Sequence, residues 1–205
     1  DFLAELREAN GGRGTIFIEV PCLDWICRHR AWFDVFYEHV NYFRLDDFRR
    51  MFGRVLESGH VFGGQYLYVV ADLASLRDPA AGGGVHFEFP ADFTASVARY
   101  ADQMRARQSA PGTAGSSVIW GGASKGVIFS LFMQRAGAKV DCVVDINPAK
   151  QGRYLAATGL RVSSPEDMLR QAAAGSDIYV MNGNYLPEIR QMTQDRFNYL
   201  TVDHE

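Results

Sequence analysis

A carboxylate and an imidazole that are adjacent in the chain form the first candidate for proton-transfer chemistry. Glu38 and His39 lie within the aromatic segment DVFYEHVNYF. A histidine side chain accepts a proton near neutral pH, and rings around it exclude water. The pair is therefore a candidate general base. A packed or half-exposed histidine without a catalytic role is the competing interpretation, and composition alone favours it.

A glycine-rich turn between a predicted strand and a predicted helix is the second candidate. In SSVIWGGASKGVIFSLF, Gly121, Ala123 and Gly126 occupy the small-residue positions of a dinucleotide-binding fingerprint. Small residues let the backbone approach a phosphate at the helix N-terminus, and Lys125 adds a positive charge. Asp145, which ends the next predicted strand, matches the acid that holds a ribose hydroxyl. The alternative is that the glycines serve only helix–strand packing.

Polar residues at other predicted strand ends extend this second candidate site. The carboxyl ends of parallel strands face the ligand crevice of α/β folds, and Asn147 and Asn182 follow two such strands. Structural capping is the alternative role for Asp145 and Asn147. The candidates for substrate or nucleotide contact are Gly121, Gly122, Ser124, Lys125, Gly126, Asp145, Asn147 and Asn182.

Composition argues against several other classes of protein. The three cysteines form no CxxC pair and the histidines have no metal-ligand spacing, so we expect neither a disulfide framework nor a metal site. The net charge of -3 makes nucleic acid a poor partner. No apolar stretch approaches the roughly 20 residues that cross a bilayer, and no signal peptide is visible. These features favour a cytoplasmic protein that does not contact a membrane.

The second half of the chain alternates strands and helices, which predicts a Rossmann-like parallel sheet with helices on both faces. Ser164 and Pro165 have the residue types of a helix cap and a first helical position. The predicted elements are strands at Ser117–Trp120, Val140–Asp145, near Arg161, Ile178–Met181 and Tyr199–Val202, and helices at Lys125–Arg135, from Pro165 and at Leu186–Thr193.

The first half is predicted to be the C-terminal part of another α/β domain. We expect a buried strand at Thr15–Val20, a short helix capped by Asp46, and a hairpin around Gly63. A further helix is predicted at Asp92–Gln108. The predicted organisation is a first domain at 1–77, a linker and connecting helix at 78–116, and the Rossmann-like domain at 117–205.

Five segments in a fixed order give the chain a family resemblance: IEVPCLDWI, FYEHVNYF, VIWGGASKG, VVDINPAKQGRYL and MNGNYLPEI. The chain resembles nucleotide-sugar C-methyltransferases, from about Gly11 to the last predicted strand. Such enzymes have a zinc-binding domain, a domain that binds S-adenosylmethionine, and a Rossmann-like C-terminal domain. The resemblance implies that this chain is the end of the second domain plus the third. The main methyl-donor loop would then lie in a missing N-terminal portion of the same polypeptide.

The resemblance also implies a reaction. A base removes a proton from the carbon alpha to a ketone, and the enolate attacks the methyl group of S-adenosylmethionine. His39 matches the base, and Glu38 would orient or tune it. Phe36 stands where relatives often carry a tyrosine, and Tyr37 or Tyr42 is the candidate to supply the missing hydroxyl. The implied substrate is a small molecule, a nucleotide-linked keto sugar.

Two other hypotheses stay open. The glycine-rich turn and Asp145 would suit an NAD(P)-type dinucleotide-binding domain of an oxidoreductase, or a non-catalytic nucleotide-binding module. The first of these leaves FYEHVNYF unexplained, so the methyltransferase hypothesis is favoured. It predicts that His39 and the turn Gly121–Gly126 border one substrate cleft.

Overall fold

The computed structural model describes residues 2–77, 87–109 and 115–203. The chain divides into two compact units. The first comprises Asp1–Arg28 and His39–Ala91, and the second comprises His29–Glu38 and Asp92–Glu205. Residues 29–38 thus belong to the second unit although the first unit surrounds them in sequence. Parts of the predicted linker and connecting helix at 78–116, namely residues 78–86 and 110–114, lie outside the described residues.

The first unit is built on a three-stranded antiparallel sheet. Its strands are β1 (Thr15–Pro21), β2 (Val55–Val61) and β3 (Tyr66–Asp72), in the order β1-β3-β2. The predicted hairpin is confirmed, with a short 3-10 turn at Phe62–Gly64 in which Gly63 has a positive φ of 64°. The helices are α1 (Phe2–Ala9), α2 (Leu23–Arg28) and α3 (Leu45–Met51).

Two predictions for this unit are wrong. The strand Thr15–Val20 is not buried on both faces: exposure alternates along β1, and Phe17 is 61% exposed. Phe17 conceals the period of two, because it is an apolar residue on the solvent face. The cap of α3 is not Asp46. The helix begins after Arg44, whose backbone N–H donates to a carboxylate oxygen of Asp47 at 2.8 Å.

The second unit carries a five-stranded parallel sheet. Its strands are β4 (Ser117–Trp120), β5 (Cys142–Val144), β6 (Val162–Ser163), β7 (Asp177–Val180) and β8 (Asn198–Thr201), in the order β6-β5-β4-β7-β8. All neighbouring strands are parallel. With β4 as the first strand, this is the order of Rossmann-like folds, so the predicted alternation and sheet type are confirmed.

Four helices connect or precede these strands: α4 (Ser96–Ser109), α5 (Ser124–Arg135), α6 (Pro165–Gln171) and α7 (Leu186–Met192). The predicted cap of α6 is confirmed, because the Ser164 hydroxyl accepts the N–H of Asp167 at 3.0 Å. The predicted start of α4 is wrong by four residues, since Asp92 and the residues after it form turns.

Helices cover both faces of the sheet, as predicted. On one face, Tyr179 of β7 packs against Phe129 of α5 and Tyr100 of α4. On the other face, Val118 and Ile178 lie in an apolar cluster with residues of α6 and α7. Side chains that alternate along β4 and β7 thus point to opposite layers. Within the described residues, no helix has both the length and the apolar character that a membrane crossing requires.

Candidate functional site

The glycine-rich turn is shaped by close backbone contact. Gly121 has a φ of 120°, in the region that favours glycine, and its N–H donates to the carbonyl of Val144 at 2.8 Å. A Cβ at Gly126 would lie 1.9 Å from the carbonyl oxygen of Gly121. No side chain fits there, so the third small residue of the fingerprint lets the first turn of α5 approach the strand end.

The carboxylate of Asp145 is bonded to the turn beside it. Asp145 is 7% exposed. One carboxylate oxygen accepts the N–H of Gly122 at 2.9 Å and lies 2.9 Å from the ammonium nitrogen of Lys150. The other oxygen accepts the N–H of Asn147 at 2.9 Å. We call these four residues the Asp145 clasp. It joins the end of β5 to the turn, and it uses an N–H that the fingerprint would offer to a ligand.

The two asparagine candidates form local turns. The side-chain oxygen of Asn147 accepts the N–H of Ala149 at 3.0 Å, and that of Asn182 accepts the N–H of Asn184 at 3.1 Å. Such hydrogen bonds cap local turns. Structural capping is the alternative role that the sequence left open for Asn147. Asn182 nevertheless lies at the carboxyl edge of the sheet. It follows β7, the direct neighbour of β4, and a Cβ on Gly121 would lie 3.1 Å from the Cβ of Met181.

The structure thus brings several candidates to one edge of the sheet. Strand order reverses between β4 and β7, and ligands of open α/β sheets bind outside the carboxyl ends of the strands at such a point. Gly121 and Gly122 follow β4, half-buried Ser124 opens α5, and Asn182 follows β7. The assignment of these residues to a nucleotide stays a prediction.

Lys125 has an ion-pair partner that the sequence did not suggest. Its ammonium nitrogen lies 3.0 Å from a carboxylate oxygen of Asp34, and the two side chains are only 19% and 14% exposed. The ammonium also lies 5.8 Å from the centroid of the Phe33 ring. Asp34 is far from Lys125 in the sequence, so no spacing rule links them. The charge of Lys125 is therefore directed at a carboxylate of the same unit.

Residues 29–38 are held on the second unit by an aromatic anchor. The ring of Trp32 stacks on Phe129, with centroids 5.5 Å apart and planes 12° apart, and lies 4.9 Å from Phe132. Its indole N–H donates to the Ser96 hydroxyl at 2.9 Å. Trp32 is buried, so the segment has a fixed attachment to α4 and α5.

The residues assigned to proton transfer follow this anchor. Tyr37 is 74% exposed and Glu38 is exposed, within a stretch that forms a turn. His39 is half-exposed, and its ring lies 5.7 Å from that of Tyr42. The imidazole is thus accessible and has an aromatic neighbour. Phe36 is half-buried. The catalytic role of Tyr37, Glu38 and His39 stays a prediction.

Cys22 and Cys142 do not offer a second reactive site. Burial raises the pKa of the Cys22 thiol and the pKa of the Cys142 thiol. Both stay protonated near neutral pH, and the thiolate is the reactive form. The Cys22 sulfur lies 3.6 Å from Nε2 of His60. Across residues 2–77, 87–109 and 115–203, no cluster of three or more His, Cys, Asp or Glu side chains could hold a metal ion.

Comparison with known proteins gives one finding on the family. A search of curated proteins found no match. Residues 74–198, which are more than half of the chain, match the family model of the C-methyltransferase C-terminal domain. The matched region contains α4 through α7 and four whole strands of the parallel sheet, with its turn and the Asp145 clasp. The family match supports methyl transfer, which is the general part of the function that the resemblance implies. The chain belongs to the C-methyltransferase C-terminal domain family.

Proposed function

We propose that this chain is the C-terminal portion of an S-adenosylmethionine-dependent C-methyltransferase, which methylates the carbon alpha to a ketone of a nucleotide-linked keto sugar. The observation that carries the proposal is the family match over residues 74–198. The accessible imidazole of His39 supports the proton-transfer part of it.

The methyl donor of such families is typically S-adenosylmethionine, which supplies the methyl group. The described residues do not fit its nucleoside at the glycine-rich turn. The carboxylate that would hold a ribose is inside the Asp145 clasp, and the N–H of Gly122 is donated to it. We therefore assign the donor to another part of the enzyme and derive no step through it.

The chain's own residues have two roles in the proposal. The imidazole of His39 removes the proton from the carbon alpha to the ketone, and Glu38, the preceding residue in the chain, orients it. Phe36 lacks the hydroxyl that a tyrosine would carry at its position. The exposed hydroxyl of Tyr37 takes the place of that missing group. The carboxyl edge of β4 and β7 contacts the nucleotide part of the substrate through Gly121 and Asn182, and not through Asp145 or the N–H of Gly122, which are bonded to each other.

The test is His39→Ala in the intact enzyme. We expect turnover to fall by about 10²-fold or more, the usual scale for a lost acid–base group. Methyl transfer from radiolabelled S-adenosylmethionine to a nucleotide-linked keto sugar measures it. Exchange of the alpha proton with D2O, followed by NMR, reports the proton-transfer step separately. His29→Ala is the matched control, because His29 is also an accessible histidine and has no assigned role. Equal turnover in the His39 variant and the wild type would remove His39 from the mechanism.

The oxidoreductase hypothesis has less support than it had from the sequence. Its central residue, Asp145, is buried and bonded to the turn rather than directed at an open groove. A titration with NADH decides the matter. Saturable binding that is lost in Asp145→Ala would favour a dinucleotide-binding domain over the proposed function.

A further inference from the structure

We propose that Lys125 is a positioning residue and not a phosphate ligand. Its ion pair with Asp34 holds residues 32–38 on α5, and thereby fixes where Tyr37 and Glu38 are presented. The consequence for catalysis rests on the proposed function, because it needs Tyr37 and Glu38 to act in the reaction. The attachment itself does not depend on it.

The ion pair completes an attachment that the aromatic rings begin. Trp32 is buried against Phe129 and Phe132, and fixes one point of the segment on α5. These contacts fix the segment at Trp32, and the exposed residues Tyr37 and Glu38 follow several residues later. Asp34, two residues after Trp32, adds a second point through Lys125 on the first turn of the same helix. Two points on one helix define the direction in which the chain leaves it.

The distance to the candidate residues along the chain is short. Glu38 is four residues after Asp34, and an extended chain spans at most about 3.6 Å per residue, so their Cα atoms are within about 14 Å. The position of Asp34 therefore limits where Tyr37 and Glu38 can lie, and releasing Asp34 widens that range. Misplacement of a reacting group by about 1 Å can lower turnover by about 10²-fold.

The same geometry argues against a phosphate on Lys125. A phosphate that reached the ammonium group would approach the carboxylate of Asp34, which is 3.0 Å from it. Like charges at such a distance repel, and weak screening at this largely buried site makes the repulsion stronger. The cation is already compensated by a fixed anion of its own unit. Its burial makes the pair sensitive to the loss of either member, because the remaining charge stays poorly hydrated.

Four variants of the intact enzyme test the inference: Lys125→Met, Asp34→Asn, the double variant that combines them, and the charge swap Asp34→Lys with Lys125→Asp. Hydrogen–deuterium exchange is measured by peptide mass spectrometry. We expect each single substitution to raise exchange in residues 31–38 by about tenfold, with little change in β4 and β7. The double variant is expected to raise exchange no further than either single variant, because it removes the same interaction and leaves no unpaired buried charge. The swap is expected to restore part of the protection.

Kinetics and binding separate positioning from phosphate contact. We expect Lys125→Met and Asp34→Asn to lower kcat equally, on the order of tenfold, with KM for the keto sugar unchanged. Affinity for UDP, measured by titration calorimetry, is expected to be unchanged in both. Lys139→Met is the matched control, because Lys139 also pairs with an aspartate, Asp141, at 2.8 Å but on the exposed surface. It is expected to change none of these readouts.

Two results would overturn the inference. One is unchanged exchange of residues 31–38 in Lys125→Met, or an equal rise throughout the unit. The other is weaker UDP binding in Lys125→Met with normal binding in Asp34→Asn, which is the pattern of a phosphate ligand. Failure of the proposed function looks different. It would leave the local rise in exchange intact, while His39→Ala had no effect on turnover.

Discussion

The two sheets of this chain place similar residues in opposite surroundings. The five-stranded parallel sheet is covered by helices on both faces. The three-stranded antiparallel sheet buries Leu67, Val69 and Ala71 of β3 on one face and exposes Phe17 on the other. Side chains on either face of the first sheet are therefore shielded from water, whereas those on the open face of the second can reach it. The same residue type is therefore expected to respond differently to substitution.

Three matched pairs make this comparison measurable. Each joins a residue of the parallel-sheet unit to one of the same type in the antiparallel-sheet unit. The pairs are Gly126 with Gly59, Asp145 with Asp72, and Tyr179 with Tyr68.

The largest difference is expected for the glycines. A Cβ at Gly126 would lie 1.9 Å from the Gly121 carbonyl oxygen, a backbone atom that the turn holds in place. Gly126→Ala must therefore separate α5 from the end of β4. We expect it to lower the free energy of unfolding by about 3 kcal/mol or more, at the upper end of overpacking effects. Urea unfolding followed by circular dichroism measures it.

Gly59→Ala is the control for this substitution. Its Cβ would lie 2.7 Å from the ring of Tyr68, which is the far end of a flexible side chain on a partly exposed face. The ring can rotate away, so we expect the free energy of unfolding to fall by less than about 1 kcal/mol. Equal losses in the two variants would mean that the contrast between the covered and the open sheet does not govern stability.

The aspartates are expected to differ by less. Asp145→Asn keeps the size of the side chain but replaces one acceptor of the Asp145 clasp with an NH2 group, and it removes the charge that faces Lys150. One buried N–H then loses its acceptor. We expect a loss of about 2 kcal/mol in the same unfolding measurement.

Asp72→Asn is the control, because the hydrogen bond that the Asp72 side chain accepts can still form after the substitution. Its carboxylate accepts the N–H of Ala74 at 3.0 Å and lies 3.8 Å from Arg54, near the surface. An asparagine oxygen can accept the same N–H, so Asp72→Asn is expected to cost about 0.5 kcal/mol or less. If the free energy of unfolding falls as much in Asp72→Asn as in Asp145→Asn, burial does not make the Asp145 clasp more stabilising than an exposed carboxylate.

Much of the parallel sheet could be predicted from sequence, because its signals are local. Short apolar runs alternate with helical patterns, and the cap at Ser164 followed by Pro165 is contained in adjacent residues. The prediction that β1 is buried fails for one local and one non-local reason. Its period of two is hidden by Phe17, and its position beside β3 depends on pairing with a strand that is distant in sequence.

The partners of the candidate residues could not be predicted in the same way. Lys125 and Asp145 were identified as charged residues near a turn, but their partners depend on how the chain is folded in space. Asp34 reaches Lys125 because the Trp32 ring carries residues 29–38 onto α5. The fingerprint specifies small residues for a tight turn, and a tight turn forms whether its N–H groups bond to a ligand or to Asp145.

The tyrosines give the smallest stability difference and the clearest dependence on pH. Burial raises the pKa of Tyr179 to about 12. A hydrogen bond to Glu57, 2.9 Å away, raises the pKa of Tyr68, which is at the surface. Tyr68→Phe removes an exposed bond, and we expect no measurable change in stability. The hydroxyl of Tyr179 has no hydrogen-bond partner within the described residues, so its burial is uncompensated. Removing it in Tyr179→Phe is expected to stabilise the fold by about 1 kcal/mol.

The pH dependence tests that burial is the cause. In the unfolded chain Tyr179 ionises near its ordinary pKa of 10.0, and in the folded chain near 12. Between these values the folded state binds more protons, so the free energy of unfolding of the wild type falls as pH rises from about 10 to about 12. Tyr179→Phe lacks this contribution, and its advantage over the wild type must therefore grow across that window. Urea unfolding of both proteins at pH 8 and at pH 11 measures the advantage. A constant difference at the two pH values would show that the phenol is hydrated in the folded state, and that the covered sheet admits water where Phe129 and Tyr100 enclose the ring.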